Sequence, residues 1–386
     1  MMKIAGHSAT AWLKFAARLS QQGIGRTRRA TKRALGVRRP VRMVPYRGFG
    51  NGRTAVISGR VLVSRPVREP LIHDPWWTNL RHMYRHFLSE AVGGCPVTAT
   101  YEGQTLQGAS DRDGYFHFRF EGTGEVDTPH GWHPVEFSST AGPEGHVARA
   151  VGQIMVPPAD TRFGVISDMD DTVIRSHVTD FLKVARLTML HNARTRKPFE
   201  GVAAFYRALQ AGGDGAHHNP LFYVSSSAWH LYDLFRIFLE HNELPSGPIL
   251  LRDPGIDEDK FLIEQGHRHK LLKIESIFEM YPAMRFVLVG DSGQDDPFLY
   301  REAMHRYPGR VLAIYIRDVG TKRSEQVRRL AREVTALGIP MLLVPDTVAA
   351  AEHAAELGLI DPARLEEIRS DRAADESPAG ERAGPV

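Results

Sequence analysis

Downstream of Pro157-Pro158 the chain alternates short apolar runs with segments of helical periodicity, and no other feature limits its fold so strongly. The runs are Phe163–Ser167, Leu221–Val224, Ile249–Leu251, Phe286–Val289, Val311–Ile316 and Met341–Val344. Strands this continuously apolar need cover on both faces, which is the situation of a parallel sheet with helices on either side. The intervening helices are marked by Leu231, Leu234, Phe235 and Phe238, then by Leu271, Ile274, Phe278 and Tyr281. A third carries Val327, Leu330, Ala331, Val334 and Leu337 and is closed by Gly338. An α/β, Rossmann-like domain is expected over 159–365.

Residues 51–158 follow a different pattern: Thr54–Val63, Val97–Tyr101, Tyr115–Phe120, Val135–Ser138 and His146–Val156 are short strands divided by turn clusters. They predict an antiparallel β-sandwich preceding the α/β domain. Leu80, Met83, Tyr84 and Phe87 recur at helical spacing and predict a helical insert over Trp77–Ala91. Gly48–Gly52 is a glycine-rich, flexible lead-in, and 366–386 a disordered tail.

Charge is unevenly placed. The first 68 residues hold 16 of the 49 Lys and Arg and no acid, so all 45 Asp and Glu lie beyond them. Residues 1–50 therefore form a basic arm, and Trp12, Phe15 and Leu19 beside Lys14 and Arg18 suggest an amphipathic helix suited to an anionic membrane surface. A transit peptide or a solvated tail would have the same composition, and nucleic acid is the second anionic partner the arm would fit, behind lipid. One cysteine, Cys95, permits no internal disulfide and points to a reducing, cytoplasmic setting, with peripheral membrane attachment. No apolar run approaches the roughly 18–20 residues of a membrane-spanning helix.

Chemistry in a parallel sheet gathers beyond the carboxyl ends of the strands. Asp168 and Asp170 lie two apart at the first strand's exit, Ser225-Ser-Ser227 follows the second, and Gly290-Asp291-x-x-x-Asp295-Asp296 follows the fourth. Carboxylates converging on one edge repel unless a hard divalent cation joins them, and oxygen ligands favour Mg²⁺. An EF-hand counted from Asp168 fails, because Val173 falls on its glycine and Thr179 on its glutamate. A serine hydroxyl and the Lys270 ammonium beside such a metal suit the oxygens of a phosphoryl group.

In order and spacing, Asp168-x-Asp170-x-Thr172, Ser225, Lys270 and Gly290-Asp291-x-x-x-Asp295 resemble the four motifs of the haloacid dehalogenase superfamily of phosphatases. Ile166–Ile174, Tyr223–Tyr232, Gly247–Asp253 and Phe286–Asp296 are similar, more narrowly, to the catalytic domain of the actin-patch-associated phosphatidate phosphatase family and its bacterial relatives. The resemblance covers about 155–335 and implies a Mg²⁺-dependent phosphoric monoester hydrolase. It implies Asp168 as nucleophile, Asp170 as acid and base, and Ser225 and Lys270 as phosphoryl ligands. Asp168, Asp170 and Asp291 would hold the metal with Asp295 in support. Lys273 is the alternative to Lys270, and Asp171 and Asp296 are the alternatives one residue along.

Thr172, Ser226, Trp229 and Arg252 are expected to line the substrate's approach. The interval 174–221, with Phe181, Val184, Leu187 and Leu190 beside Lys183, Arg186, Arg194, Arg196 and Lys197, would form a basic, partly apolar lid. Such a lid suits phosphatidate, which would be cleaved to diacylglycerol. Two other readings stand beside it: a phosphatase for soluble or nucleic-acid phosphate esters, and a lipid-binding scaffold whose phosphatase domain is a relic.

Overall fold

The computed structural model describes residues 40–64, 90–122, 130–141, 147–169, 201–215, 218–252, 266–320 and 322–376. Eight strands come first: β1 (Val41–Pro45), β2 (Gly48–Gly50), β3 (Thr54–Val63), β4 (Pro96–Tyr101), β5 (Gln104–Ala109), β6 (Tyr115–Glu121), β7 (Gly131–Ser139) and β8 (Ala148–Val156). They form one sheet in the order β1-β3-β2-β8-β7-β4-β5, with β6 on β3. Every pairing is antiparallel except β2 with β8. Alternation drives it: Ala55, Ile57 and Val61 of β3 turn inward and join Phe116, Phe118, Phe120, Phe137 and Tyr101 in one apolar cluster.

The expected boundary at residue 50 falls inside this sheet. Val41 and Met43 are buried on either side of Arg42, so β1 is an amphipathic strand within what composition marks as the basic arm. Gly48–Gly50 is likewise a paired strand. The remainder of the arm, the helical insert up to residue 89 and the interval 170–200 lie outside the described residues.

The second sheet consists of β9 (Phe163–Asp168), β10 (Leu221–Ala228), β11 (Ile249–Arg252), β12 (Arg285–Asp291), β13 (Val311–Arg317) and β14 (Met341–Val344). All its pairings are parallel, in the order β11-β10-β9-β12-β13-β14. Among the described residues, seven helices accompany it: α1 (Val202–Ala211), α2 (Tyr232–His241), α3 (Gly266–Met280), α4 (Asp296–Arg306), α5 (Ser324–Ala336), α6 (Thr347–Glu356) and α7 (Leu365–Glu376). Successive strand residues enter opposite cores. Val165, Tyr223, Val287 and Tyr315 pack with α1, α2, α6 and α7, whereas Ile166, Phe222, Leu288 and Ile314 pack with α3, α4 and α5. Two-sided burial is what made these strands read as unbroken apolar runs.

Helix α7 occupies the start of the expected tail. Its Ile368 is buried, Asp371 accepts a hydrogen bond from the Ala204 amide at 3.2 Å, and Arg372 pairs with Asp346 at 2.7 Å.

The two sheets meet along the β1–β3 segment. Tyr46 stacks on Trp229 with centroids 4.5 Å apart, and Phe49 meets Phe222 edge-on at 5.7 Å. The Asn51 amide donates to the Met280 carbonyl at 2.7 Å, and the Tyr281 hydroxyl to the Gly50 carbonyl at 3.0 Å.

Candidate active site

Strand order reverses between β9 and β12: from β9 the chain builds outward through β10 and β11, then returns to β9's other side. The helices that follow these two strands diverge to opposite faces, opening a crevice at their carboxyl ends. Register brings the functional groups level there. Asp168 faces Val224, one residue before Ser225, and Ser167 faces Val289, two before Asp291.

Helix α3 delivers Lys270 into this crevice, with its side chain 5% exposed. The ammonium reaches Asp168 Oδ1 at 2.7 Å, Asp296 Oδ1 at 3.0 Å and Gln294 Oε1 at 3.0 Å. Gln294 and Asp296 accept hydrogen bonds from the ammonium, and Asp168 is its ion-pair partner. Asp296, fully buried, also accepts from the Asp291 amide through Oδ2 at 3.3 Å. Asp291 Oδ1 in turn accepts from the Gly293 and Gln294 amides at 2.6 and 3.1 Å, which shapes the loop after β12.

Asp168, Asp291 and Asp296 can each offer an oxygen within 4.8 Å of the others. Among the described residues, three carboxylates gather around one ammonium, an excess of two negative charges in a largely buried space. Uncompensated buried charge is costly, so the donor set itself favours a divalent cation, and all-oxygen ligation favours a hard one.

Gly290 is needed at the base of this cluster. A Cβ there would stand 2.8 Å from both Cβ and Oδ2 of Asp296 and 3.0 Å from the Tyr300 ring. Gly290→Ala is therefore expected to push Asp296 off Lys270, lower stability by about 1–3 kcal/mol as overpacked cores do and impair catalysis. Calorimetry alongside a turnover assay checks both effects.

Below Asp168, the Ser167 and Tyr206 hydroxyls are 2.7 Å apart. Burial holds the Tyr206 phenol well above its ordinary value, the hydrogen bond to Ser167 offsets part of this, and the Asp168 charge adds to it. Tyr206 is thus a neutral prop, not an acid or base. Beyond β13, Asp318 accepts from Ser324 Oγ at 2.6 Å, the Gly320 amide at 3.0 Å and Arg328 at 2.9 Å. These bonds, that of Ser324 foremost, hold its carboxyl below the ordinary 3.8. The stability it contributes is complete above that value and is lost as pH falls through the depressed one. Asp318→Asn should flatten this acid-side slope in melting experiments across pH 2–5.

The expected residues divide into three groups. Asp168, Lys270 and Asp291 converge, and Ser225, buried within β10 one residue past the partner of Asp168 and with its Oγ accepting from the Ser227 amide at 3.0 Å, stands beside them. Ser226 is half-buried next to it, and Arg252 is exposed at the end of the edge strand β11. Asp170, Asp171 and Thr172 lie outside the described residues.

Three residues fall elsewhere. Asp295 turns outward to Arg323 at 2.8 Å, and Asp296 takes the inward position. Lys273 lines a cavity against the first sheet. Trp229 is buried and stacks on Tyr46 between the sheets. Gln294, which completes the cage of Lys270, was not foreseen; a lone glutamine in a polar loop carries no chemical signature.

These features define an open α/β domain with a buried, metal-competent acidic centre at the switch point of its sheet. Residues 163–318 match the family described as "Phosphatidate phosphatase APP1, catalytic domain". Over 193 residues, 48% of this chain, it is 29% identical to phosphatidate phosphatase APP1 of Saccharomyces cerevisiae. Over 168 residues, 42% of the chain, it is 30% identical to an uncharacterized protein of Schizosaccharomyces pombe. These matches span 32% and 26% of the two yeast proteins, less than a third of either. Among solved structures, a bacterial immunoglobulin-like domain from the M. primoryensis ice-binding adhesin is 13% identical, covering 27% of this chain and 76% of its own at a TM-score of 0.15. The resemblance expected from the motifs, to the actin-patch-associated phosphatidate phosphatase catalytic domain, thus holds over residues 163–318.

Proposed function

We propose that this chain is a phosphoric monoester hydrolase of the haloacid dehalogenase type, acting on phosphatidate or a closely related lipid phosphate. The observation that carries this reading is the buried cluster of Asp168, Asp291 and Asp296 around Lys270, with Ser225 next to it in the β9–β10 register. The lipid substrate rests on the similarity to the yeast phosphatidate phosphatase.

Asp168 is the nucleophile. With Oδ1 tied to Lys270, its carboxylate is fixed in orientation before substrate arrives, which removes part of the entropic cost of reaching the attacking geometry. An Asp168 oxygen forms a bond to phosphorus as the ester P–O bond breaks, giving an aspartyl phosphate. Asp170 protonates the departing alkoxide. The same residue then takes a proton from the water that attacks phosphorus, and inorganic phosphate leaves with Asp168 restored. Ser225 and Lys270 bind phosphoryl oxygens, and Asp296 and Gln294 hold Lys270 in place.

Asp168 and Asp291, with the Asp170 carbonyl, would hold Mg²⁺. Bound there, the ion supplies neutralisation of the phosphoryl charge. Asp296 takes over the supporting role expected of Asp295, since it is the acid that faces inward.

No described helix is long and apolar enough to cross a membrane. Attachment to an anionic surface is assigned to the basic arm. Phosphate release from phosphatidate in detergent micelles, with and without Mg²⁺, tests the reading. Mg²⁺-dependent release is expected. Release only from soluble esters would overturn the lipid assignment, and liposome binding without any turnover would favour the scaffold.

A further inference from the structure

Helix α1 begins without a cap of its own. Gly201 precedes it at a φ of +76°, offers no capping side chain, and is followed by a first turn without an acidic residue. The glycine is required by α7, because a Cβ there would stand 3.0 Å from the Ile368 carbonyl oxygen and 3.1 Å from Arg372 Cβ. Close approach of α7 thus removes the usual local solution, a Ser, Thr, Asp or Asn at the cap.

The acceptor comes instead from α7. Asp371 Oδ2 takes the Ala204 amide of the first turn at 3.2 Å, across 167 residues of sequence, and a carboxylate there also suits the positive end of a helix. Beside it, Arg372 pairs at 2.7 Å with Asp346, whose other oxygen caps α6 through the Ala349 amide at 3.0 Å. Glu367 reaches Arg207 of α1 at 3.3 Å. Two neighbouring residues of α7 therefore serve the starts of two helices, and α7 lies beyond the matched residues 163–318.

The start of α1 is on the side of the crevice. The link 212–220 is short and β10 runs parallel to β9, so α1 descends from the carboxyl edge of the sheet to its amino edge. Tyr206, two residues past Ala204, meets Ser167 Oγ at 2.7 Å, and Ser167 Oγ donates to the Asp168 carbonyl at 3.0 Å. A serine hydroxyl has one proton, so Tyr206 is the donor to Ser167.

We infer that Asp371 is a positioning residue for the reaction. By capping α1 from α7 it fixes Tyr206, and through Tyr206 and Ser167 it fixes the backbone at Asp168. The inference rests on the reading of Asp168 as nucleophile.

Phosphate release from phosphatidate micelles with Mg²⁺ is compared for wild type, Asp168→Asn, Asp371→Ala, Asp371→Asn, Tyr206→Phe, the Asp371→Ala/Tyr206→Phe double variant and Ile368→Val, each well below its melting temperature. Asp371→Ala should lower kcat about ten-fold and leave KM within about two-fold, since misplacing a reacting group by about 1 Å costs on the order of a hundred-fold. Asp371→Asn keeps a capping acceptor and should recover most of the loss. Tyr206→Phe should lower kcat similarly, and the double variant should fall no further than the deeper single one, because both act on one path. Ile368→Val trims the buried anchor of α7 and should lower the melting temperature with kcat unchanged.

Amide hydrogen exchange reads the same coupling without substrate: Asp371→Ala should speed exchange at 163–169 as well as at 202–206, and Ile368→Val should leave 163–169 as in wild type. A normal kcat in Asp371→Ala, additive losses in the double variant, or an equal loss in Ile368→Val would overturn the inference and leave the nucleophile in place. Exchange at 163–169 unchanged in Asp371→Ala would overturn it independently of turnover. Turnover retained by Asp168→Asn would overturn the nucleophile reading instead.

Discussion

Asp168→Asn should reduce phosphate release by roughly 10⁴-fold or more, the loss typical of removing a nucleophile, while the protein becomes more heat-stable in the absence of divalent metal. The two effects have opposite signs because Asp168 works against the fold. Among the described residues it is one of three carboxylates gathered around one ammonium, and its side chain is only 4% exposed. Asparagine cannot attack phosphorus, and it lowers the local excess of negative charge by one while keeping the size of the side chain. Single-turnover kinetics and calorimetry on the same preparation check the pair. Loss of activity with loss of stability would mean that Asp168 is a structural residue, and the nucleophile assignment would fail.

Lys270→Met is expected to give the largest fall in stability, about 3–5 kcal/mol, because it leaves buried carboxylates without their cation. The methyl thioether fills much of the same volume, so the cost is chiefly electrostatic. Millimolar Mg²⁺ should restore much of the lost stability, since a divalent ion supplies the charge that lysine gave. Turnover should stay low, because Asp168 is no longer oriented and one phosphoryl ligand is gone. Melting with and without EDTA reads the metal dependence. A Lys270→Met protein as stable as wild type without metal would sink the view that this lysine balances the cluster.

Much of the α/β half was legible because each central strand is buried on both faces. Phe222 and Tyr223, or Leu288 and Val289, feed opposite cores, and a run of such residues has no other comfortable place. β1 and β5 were missed for opposite reasons. In β1 the buried Val41 and Met43 stand within an arginine-rich stretch, and in β5 Gln104–Ala109 present no fully buried position at all. Which strands pair, and that the first eight join in one sheet, depends on contacts distant in sequence that spacing does not encode.

At the strand exits, residue type and order were enough to pick out Asp168, Ser225, Lys270 and Asp291 as residues that lie close together, but not to choose between neighbours. Asp295 and Asp296 differ by one step at the start of α4, and one helical step turns a side chain by about 100°. That rotation sends Asp295 to Arg323 and Asp296 to Lys270. Lys270 and Lys273 are one turn apart, and only the placement of α3 against the sheet decides that the first reaches Asp168. Trp229 follows the serine loop, and its stacking partner, Tyr46, is 183 residues away in sequence, a contact that no local pattern encodes.

The seam formed by Tyr46, Phe49 and Asn51 has a consequence for how the protein comes apart. Phe49 shares an apolar core with Phe222, Leu271 and Tyr281, and Tyr46 shares the other core with Trp229 and Tyr232, so the first sheet contributes side chains to both cores of the second. The halves are therefore bound into one cooperative unit, and a chain severed near Pro157-Pro158 would leave Phe222, Trp229 and Tyr281 wet. Proteolytic nicking there would make the α/β half sticky, and not simply smaller.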